Sequence, residues 1–231
     1  MAALGLGLGV AAASFIATPA QAAVVLSATS ITLITGTNRQ HAPSVAINQA
    51  GLLTPYTSGV TDWDTYFAGS PYHTKQVDSG GLGATGYEWW GFADAQNVIT
   101  LKFDFGSTVD LSGIALWVEE AHGVAKFSLR TDTTTLISNQ VPSNNPGDQN
   151  YLADRYTFAT TSTRYLYLDF LDNQNFAIFG PTAAIGEVAF RQETGPAPSG
   201  VPDGTTTVLL LAPLGLGLAW TGRRRGQAVR P

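Results

Sequence analysis

From Val98 to Phe105 the chain alternates: Ile99, Leu101, Phe103 and Phe105 fall on one side, Thr100, Lys102 and Asp104 on the other. A period of two over that length predicts a β-strand with one face on a core and one in water. The period returns at Ile114, Leu116 and Val118, and at Ala125, Phe127 and Leu129. It returns again at Leu166, Leu168 and Phe170, with Tyr165, Tyr167 and Asp169 pointing outward. A last strand is predicted over 185–191, IGEVAFR. Gly106-Ser107-Thr108 reads as a turn, and no long stretch between the termini carries a helical period. Strands punctuated by Gly and Pro predict an all-β sandwich of jelly-roll type rather than a parallel sheet. Three stretches lack the alternation. Residues 51–91, rich in Gly, Tyr, Trp and Thr, and 142–150 (PSNNPGDQN) are expected to be loops, and 193–200 (ETGPAPSG) a linker.

Both termini depart from this pattern. Residues 1–22 are apolar and small, and Ala20-Gln21-Ala22 has the A-x-A form of a cleavage site, so a cleavable signal helix is expected. No Lys or Arg precedes the apolar run, the first basic side chain being Arg39, which fits a start lying upstream of Met1. At the other end, residues 205–222 carry no charge. As a helix they would span about 27 Å at ~1.5 Å per residue, close to the ~30 Å hydrocarbon core of a bilayer. A buried helix of a soluble domain would show a polar face, and this run shows none. Pro213 is tolerated in a membrane helix, and Arg223, Arg224 and Arg225 favour a cytoplasmic end. The expected organisation is a signal peptide over 1–22, a folded domain over 23–192, a Pro/Gly linker over 193–200, and a tail over 201–231 with a single transmembrane helix at 205–222.

The tail resembles the PEP-CTERM class of bacterial sorting signals. The likeness is carried by Val201-Pro202-Asp203, the apolar run and Arg223-Arg224-Arg225. It is closest to the VPDSG-CTERM variant, although Gly204 stands where that variant has Ser and Thr205 where it has Gly. The resemblance implies an exosortase-type membrane protease as partner, acting near the motif. It implies export across the inner membrane, transient anchoring by the C-terminal helix, and display at the cell surface or in the extracellular matrix. It is silent about what the exported domain does.

Charge and composition narrow the domain. Over 23–199 eight basic side chains stand against sixteen acidic ones, hence −8, which makes nucleic acid an unsuitable partner. The chain has no Cys, so outside the cytoplasm it must hold together by packing alone. No Ser has Gly two residues before it, so G-x-S-x-G is absent. His41, His73 and His122 are scattered, with no H-E-x-x-H, and no Gly-rich phosphate loop with Lys occurs. Asp62, Asp64 and Glu88 lie in the long loop and offer a glycosidase-type carboxylate pair, although loop carboxylates are commonly just solvated. The expectation is a protein that is not an enzyme.

Aromatics point to binding instead. Trp63, Tyr66, Tyr72, Tyr87, Trp89 and Trp90 cluster in the one glycine-rich region, where large exposed rings are costly. Sugars present C–H faces that stack on such rings. Trp63, Tyr66 and His73, with Trp89, are the ligand-binding candidates. The alternative is that the rings pack back onto the sandwich, and one of Trp89 and Trp90 is expected to point inward.

The run from Ile99 to Glu120 resembles the strand–turn–strand core of discoidin-like domains, the galactose-binding jelly-roll group. Further pieces follow in that group's order: FSLRTD, Phe158 to Tyr165, and the closing Ile185-x-Glu187-Val188. The resemblance covers 31–191. At the start the group's Asn-x-x-Asp-Gly turn has only Ile47-Asn48-Gln49-Ala50-Gly51 to answer it. The segment 47–62, INQAGLLTPYTSGVTD, is similar to segments among PEP-CTERM cargo proteins. The resemblance implies ligand binding in rim loops and a structural calcium ion, for which Asp62, Asp64 and Glu187 would be the ligands. Glu187 falls on the inward side of its strand, where an unpaired carboxylate is expensive. Calcium or an arginine (Arg155, Arg164 or Arg191) would each resolve that. The expected role is thus non-catalytic carbohydrate binding on a surface or matrix polysaccharide. A structural matrix protein or adhesin is the alternative, and a polysaccharide hydrolase the third.

Overall fold

The computed structural model describes residues 21–75, 87–93, 98–118, 124–143, 149–173 and 182–196. In chain order its strands are β1 (Gln21–Leu26), β2 (Ser30–Thr35), β3 (Thr37–Gln40), β4 (Tyr72–His73), β5 (Trp89–Phe92), β6 (Ile99–Val118), β7 (Val124–Arg130), β8 (Thr135–Gln140), β9 (Tyr151–Leu152), β10 (Asp154–Asn173) and β11 (Thr182–Pro196). A 3₁₀ turn, Pro43–Ile47, and one short helix, α1 (Trp63–Ala68), interrupt them. Segment 1–20 and the sorting residues Val201, Pro202, Asp203, Arg223, Arg224 and Arg225 lie outside the described residues. No helix among the described residues is long and apolar enough to cross a membrane.

The two longest strands organise the rest. β6 and β10 each run 20 residues. A straight strand of that length would be about 66 Å, too long for a small domain. Both bend where their pairing slips, between Thr157 and Thr161 and between Thr163 and Tyr165 of β10. Gly106, at φ 79, sits on the β6 side of the second slip. The turn expected at Gly106-Ser107-Thr108 is therefore a bend inside one continuous strand, as bulges produce. Each long strand contributes one half to each of two layers. In the first layer β2, the start of β6, the end of β10, β7 and β8 lie side by side. In the second, the start of β10, the end of β6, β11, β5 and β3 do so, with β1 also on β11.

The layers meet through aromatic rings. Phe190 of β11 receives Phe103 and Phe105 of β6 edge-on, at 5.1 and 4.9 Å between centroids. Phe127 meets Tyr156 at 4.9 Å. The inward sets read from alternation, Leu101 and Phe103, Phe127 and Leu129, and Leu166, Leu168 and Phe170, are all buried. The wet side of the first layer carries a row of alternating rings and cations. Lys102 Nζ lies 3.7 Å from the Tyr165 ring, and Arg130 lies 4.5 Å from Tyr167.

The second layer is buried on both faces. Leu111 to Val118 and Thr182 to Phe190 are buried without a break. Their outer side is covered by the segment that precedes β4. Leu52, Tyr56, Trp63, Tyr66 and Phe67 pack there against Ala115, Trp117, Tyr151 and Ala189, a second core. The 51–91 stretch is thus not a plain loop, since it carries α1, β4 and β5. β11 runs four residues into the linker expected at 193–200. Glu193 to Pro196 extend β11, because the Glu193 carboxylate accepts the Ser112 hydroxyl and lies 3.1 Å from Arg191 Nε.

Candidate functional site

Asp62 begins the covering segment's helix. Its carboxylate accepts the Thr65 N–H at 2.8 Å, an N-cap that holds its pKa below the usual carboxylate range. Trp63, Tyr66 and Phe67 then follow at i, i+3 and i+4, one apolar face, which lies on the second core. Tyr66 donates its hydroxyl to the Thr54 carbonyl at 2.7 Å. The same spacing in the sequence, after an Asp at the cap position, is a helix signal that overrides the glycine-rich composition around it.

Four rings singled out as ligand contacts are therefore corrected. Trp63, Tyr66, His73 and Trp89 are 3, 8, 0 and 0% exposed. Trp89 stacks toward Phe170 between the layers and donates its indole N–H to Asn38. Trp90 is buried as well, but on the opposite face of β5, where its indole N–H meets Glu88 and Arg39 lies 5.3 Å from its ring.

His73 sits in a three-stranded unit made by three short pieces of chain. Leu52 bridges His73, and β4 pairs β9 with Tyr72 opposite Leu152 and His73 opposite Tyr151. The Leu53 N–H donates to the Tyr72 carbonyl at 2.9 Å and the Thr74 N–H to that of Gly51 at 2.8 Å. Alternation then sorts two rows onto opposite faces. Leu52, His73 and Tyr151 face inward and are buried. Leu53, Tyr72 and Leu152 face outward, at 57, 42 and 39% exposure.

The inward row is tightly built. The His73 ring lies between two glycines. A Cβ on Gly51 would come within 2.0 Å of Nε2, and one on Gly186 within 2.7 Å. The Nδ1–H donates to the Thr74 carbonyl at 2.8 Å, and burial pushes the imidazole pKa down to about 4, so the ring is neutral at pH 7. Tyr151 lies 5.0 Å from it and donates its hydroxyl to Glu88 at 2.6 Å. Glu88 also accepts the Trp90 indole N–H at 3.4 Å. That carboxylate is turned into the protein, and Asp62 caps α1.

The outward row was missed in the sequence. Tyr72 belongs to the aromatic cluster, but Leu53 and Leu152 come from distant segments that only the fold aligns. What the row offers is a ring flanked by two aliphatic side chains on paired backbone, with Thr54 and Asn150 of the same chain segments also exposed.

Asp62, Asp64 and Glu187 do not converge. Asp64 is exposed and lies 4.0 Å from Arg191. Glu187 is fully buried, its Oε2 accepting the Gln49 N–H at 2.8 Å and its Oε1 facing the Tyr56 hydroxyl at 3.5 Å. Burial pushes its pKa up to about 8. No set of three His, Cys, Asp or Glu among the described residues is arranged to hold a metal ion. The arginines weighed as its partner are elsewhere: Arg164 pairs with Asp104 at 2.8 Å, Arg191 with Glu193, and Arg155 lies over Phe67.

No protein-family model and no curated protein matches the chain. Among solved structures it is similar to the CBM32 of AlyQ in complex with 4,5-unsaturated mannuronic acid, at 13% identity and a TM-score of 0.42, covering 72% of this chain and 97% of that one. It is similar to the family 32 CBM from C. perfringens NanJ in complex with galactose, at 12% identity and 0.44, covering 73% and 98%. A third is chitosan-binding module 1 derived from a chitosanase/glucanase of Paenibacillus sp. IK-5, at 13% identity and 0.39, covering 71% and 95%.

Proposed function

We propose that this chain is an exported, non-catalytic carbohydrate-binding protein with a discoidin-like jelly-roll domain, and that Leu53, Tyr72 and Leu152 form its sugar-contacting surface. The observation that carries the reading is the outward row itself. An exposed tyrosine between two leucines on paired backbone is an apolar platform of about the width of a sugar ring, and the pairing lowers the cost of organising it on binding. Nearby in the chain, exposed Thr54 offers a hydroxyl, and exposed Asn150, whose amide oxygen accepts the Lys75 N–H at 2.9 Å, keeps its NH2 group for sugar hydroxyls. The ligand class is a surface or matrix polysaccharide. The tail supports the rest: its motif, apolar run and arginines fit an exosortase-type protease, transient membrane anchoring and final display at the cell surface.

Affinity electrophoresis of the wild-type chain and Tyr72→Ala through polysaccharide gels tests this. Retardation of the wild type is expected, weakened roughly tenfold or more in the variant. The melting temperature should move by no more than about 2 °C, as for a surface substitution. Equal retardation of both proteins would move sugar binding away from the row. Absence of retardation, with capture of a matrix protein that Tyr72→Ala loses, would favour the adhesin reading, in which the same apolar row is a protein contact.

A further inference from the structure

The discoidin-like resemblance implies a cation at Glu187, and the residues around that carboxylate do not fit one. Calcium takes six to eight oxygen atoms, largely carboxylates and backbone carbonyls. What Glu187 meets instead is the positive end of a backbone N–H, that of Gln49 at 2.8 Å, and a hydroxyl, that of Tyr56 at 3.5 Å. Gln49 adopts φ 62, in the left-handed region. Its side-chain oxygen accepts the Tyr56 N–H at 2.8 Å, so one residue grips both Glu187 and the chain seven positions on.

The carbonyls of the segment are engaged too. Ile47 O accepts the Ser27 hydroxyl at 2.9 Å, and Thr54 O the Tyr66 hydroxyl at 2.7 Å. Gly51 O accepts the Thr74 N–H, and Thr61 O the Val25 N–H, each at 2.8 Å. These four oxygens are thus directed at donors within the protein. A cation on Oε2 would stand against the positive Gln49 N–H that already donates there.

We propose that Gln49 and Tyr56 form a hydrogen-bond clamp that takes the place of a structural cation on Glu187, locking residues 47–62 to β11 without calcium. The clamp gives a physical meaning to the INQ and YTSG elements of that segment. Asn48 turns the chain by accepting the Ala50 N–H at 2.9 Å, Gln49 and Tyr56 meet Glu187, and Ser58 accepts the Ser27 N–H at 2.9 Å. The proposal stands on the buried end of β11 and is independent of whether the outward row binds sugar.

Thermal unfolding of the full chain, in millimolar calcium chloride and in excess chelator, tests it, together with calorimetric titration of calcium into chelator-treated protein. The two melting temperatures are expected to agree within about 1 °C, and the titration to show no saturable heat. Tyr56→Phe is expected to melt roughly 2–4 °C lower in both conditions, the loss of one modest hydrogen bond in a domain of this size. A calcium-dependent rise on the order of 5 °C, or saturable calcium binding, would overturn the clamp in favour of the cation. So would Tyr56→Phe melting with the wild type. The calcium comparison needs no variant, so it decides the matter even if Tyr56→Phe does not fold.

Discussion

At the scale of the residue, Glu187 and His73 make opposite contributions to stability as pH changes. Burial raises Glu187 from an ordinary 4.5 to about 8. The folded protein therefore holds a proton there that the unfolded chain releases. That contribution is complete below about pH 4.5 and is lost as pH rises toward 8. Burial lowers His73 from 6.5 to about 4, so its contribution is present above pH 6.5 and is lost as pH falls toward 4. Between 4.5 and 6.5 the two oppose each other; between 6.5 and 8 only the Glu187 slope remains of the pair. Urea unfolding should therefore show wild-type stability falling from pH 6.5 to 8. In Glu187→Gln, which is neutral throughout and keeps an oxygen for the Gln49 N–H, the fall should be absent or much smaller. An equal slope in the two proteins would mean that Glu187 is ionised in the fold already at pH 6.5.

At the scale of the element, the three-stranded unit depends on glycine in a neighbouring strand. A Cβ at Gly186 would stand 2.5 Å from the Tyr151 hydroxyl and 2.7 Å from the His73 ring. Gly186→Ala should therefore cost about 1–3 kcal/mol by overpacking. It should also weaken polysaccharide retention, because Tyr72 and Leu152 follow the backbone of the two displaced residues. Wild-type melting and retention in this variant would show that the unit has room the packing denies. The sequence foretold part of this arrangement. Strict alternation located the strands of the first layer because that layer has one wet face, and Lys102 and Tyr165 register it. Ile114, Leu116 and Val118 were equally visible, but Ala115 and Trp117 between them are also buried, against α1 and its approach. A second core on the outer face leaves no polar register, so the covering segment read as an exposed aromatic loop. Tyr72 stood out only as one aromatic among six, and its leucine neighbours are contributed by pairing across 19 and 80 residues of chain, which no local pattern records.

At the scale of the whole molecule, the position where the domain ends separates the part of the C-terminal chain that serves stability from the proposed sorting tail. The Pro/Gly composition of 193–200 suggested a linker, yet β11 continues to Pro196. The Glu193 carboxylate lies there between the Ser112 hydroxyl and Arg191, and Arg191 in turn reaches toward Asp64 in the first turn of α1. Removing Glu193 would leave Arg191 with the exposed Asp64 among the described residues and would strip a donor's partner from β6, a cost of about 1–3 kcal/mol. Two truncations separate the roles. Ending the chain after Pro196 should leave the melting temperature unchanged while abolishing surface retention in fractionated cells, since Val201 to Arg225 is gone. Ending it after Gln192 should lower the melting temperature by several degrees as well. If both truncations melt alike, β11 ends in function where the composition says it does. If the longer one still reaches the cell surface, the arginine-capped tail is not its sorting signal.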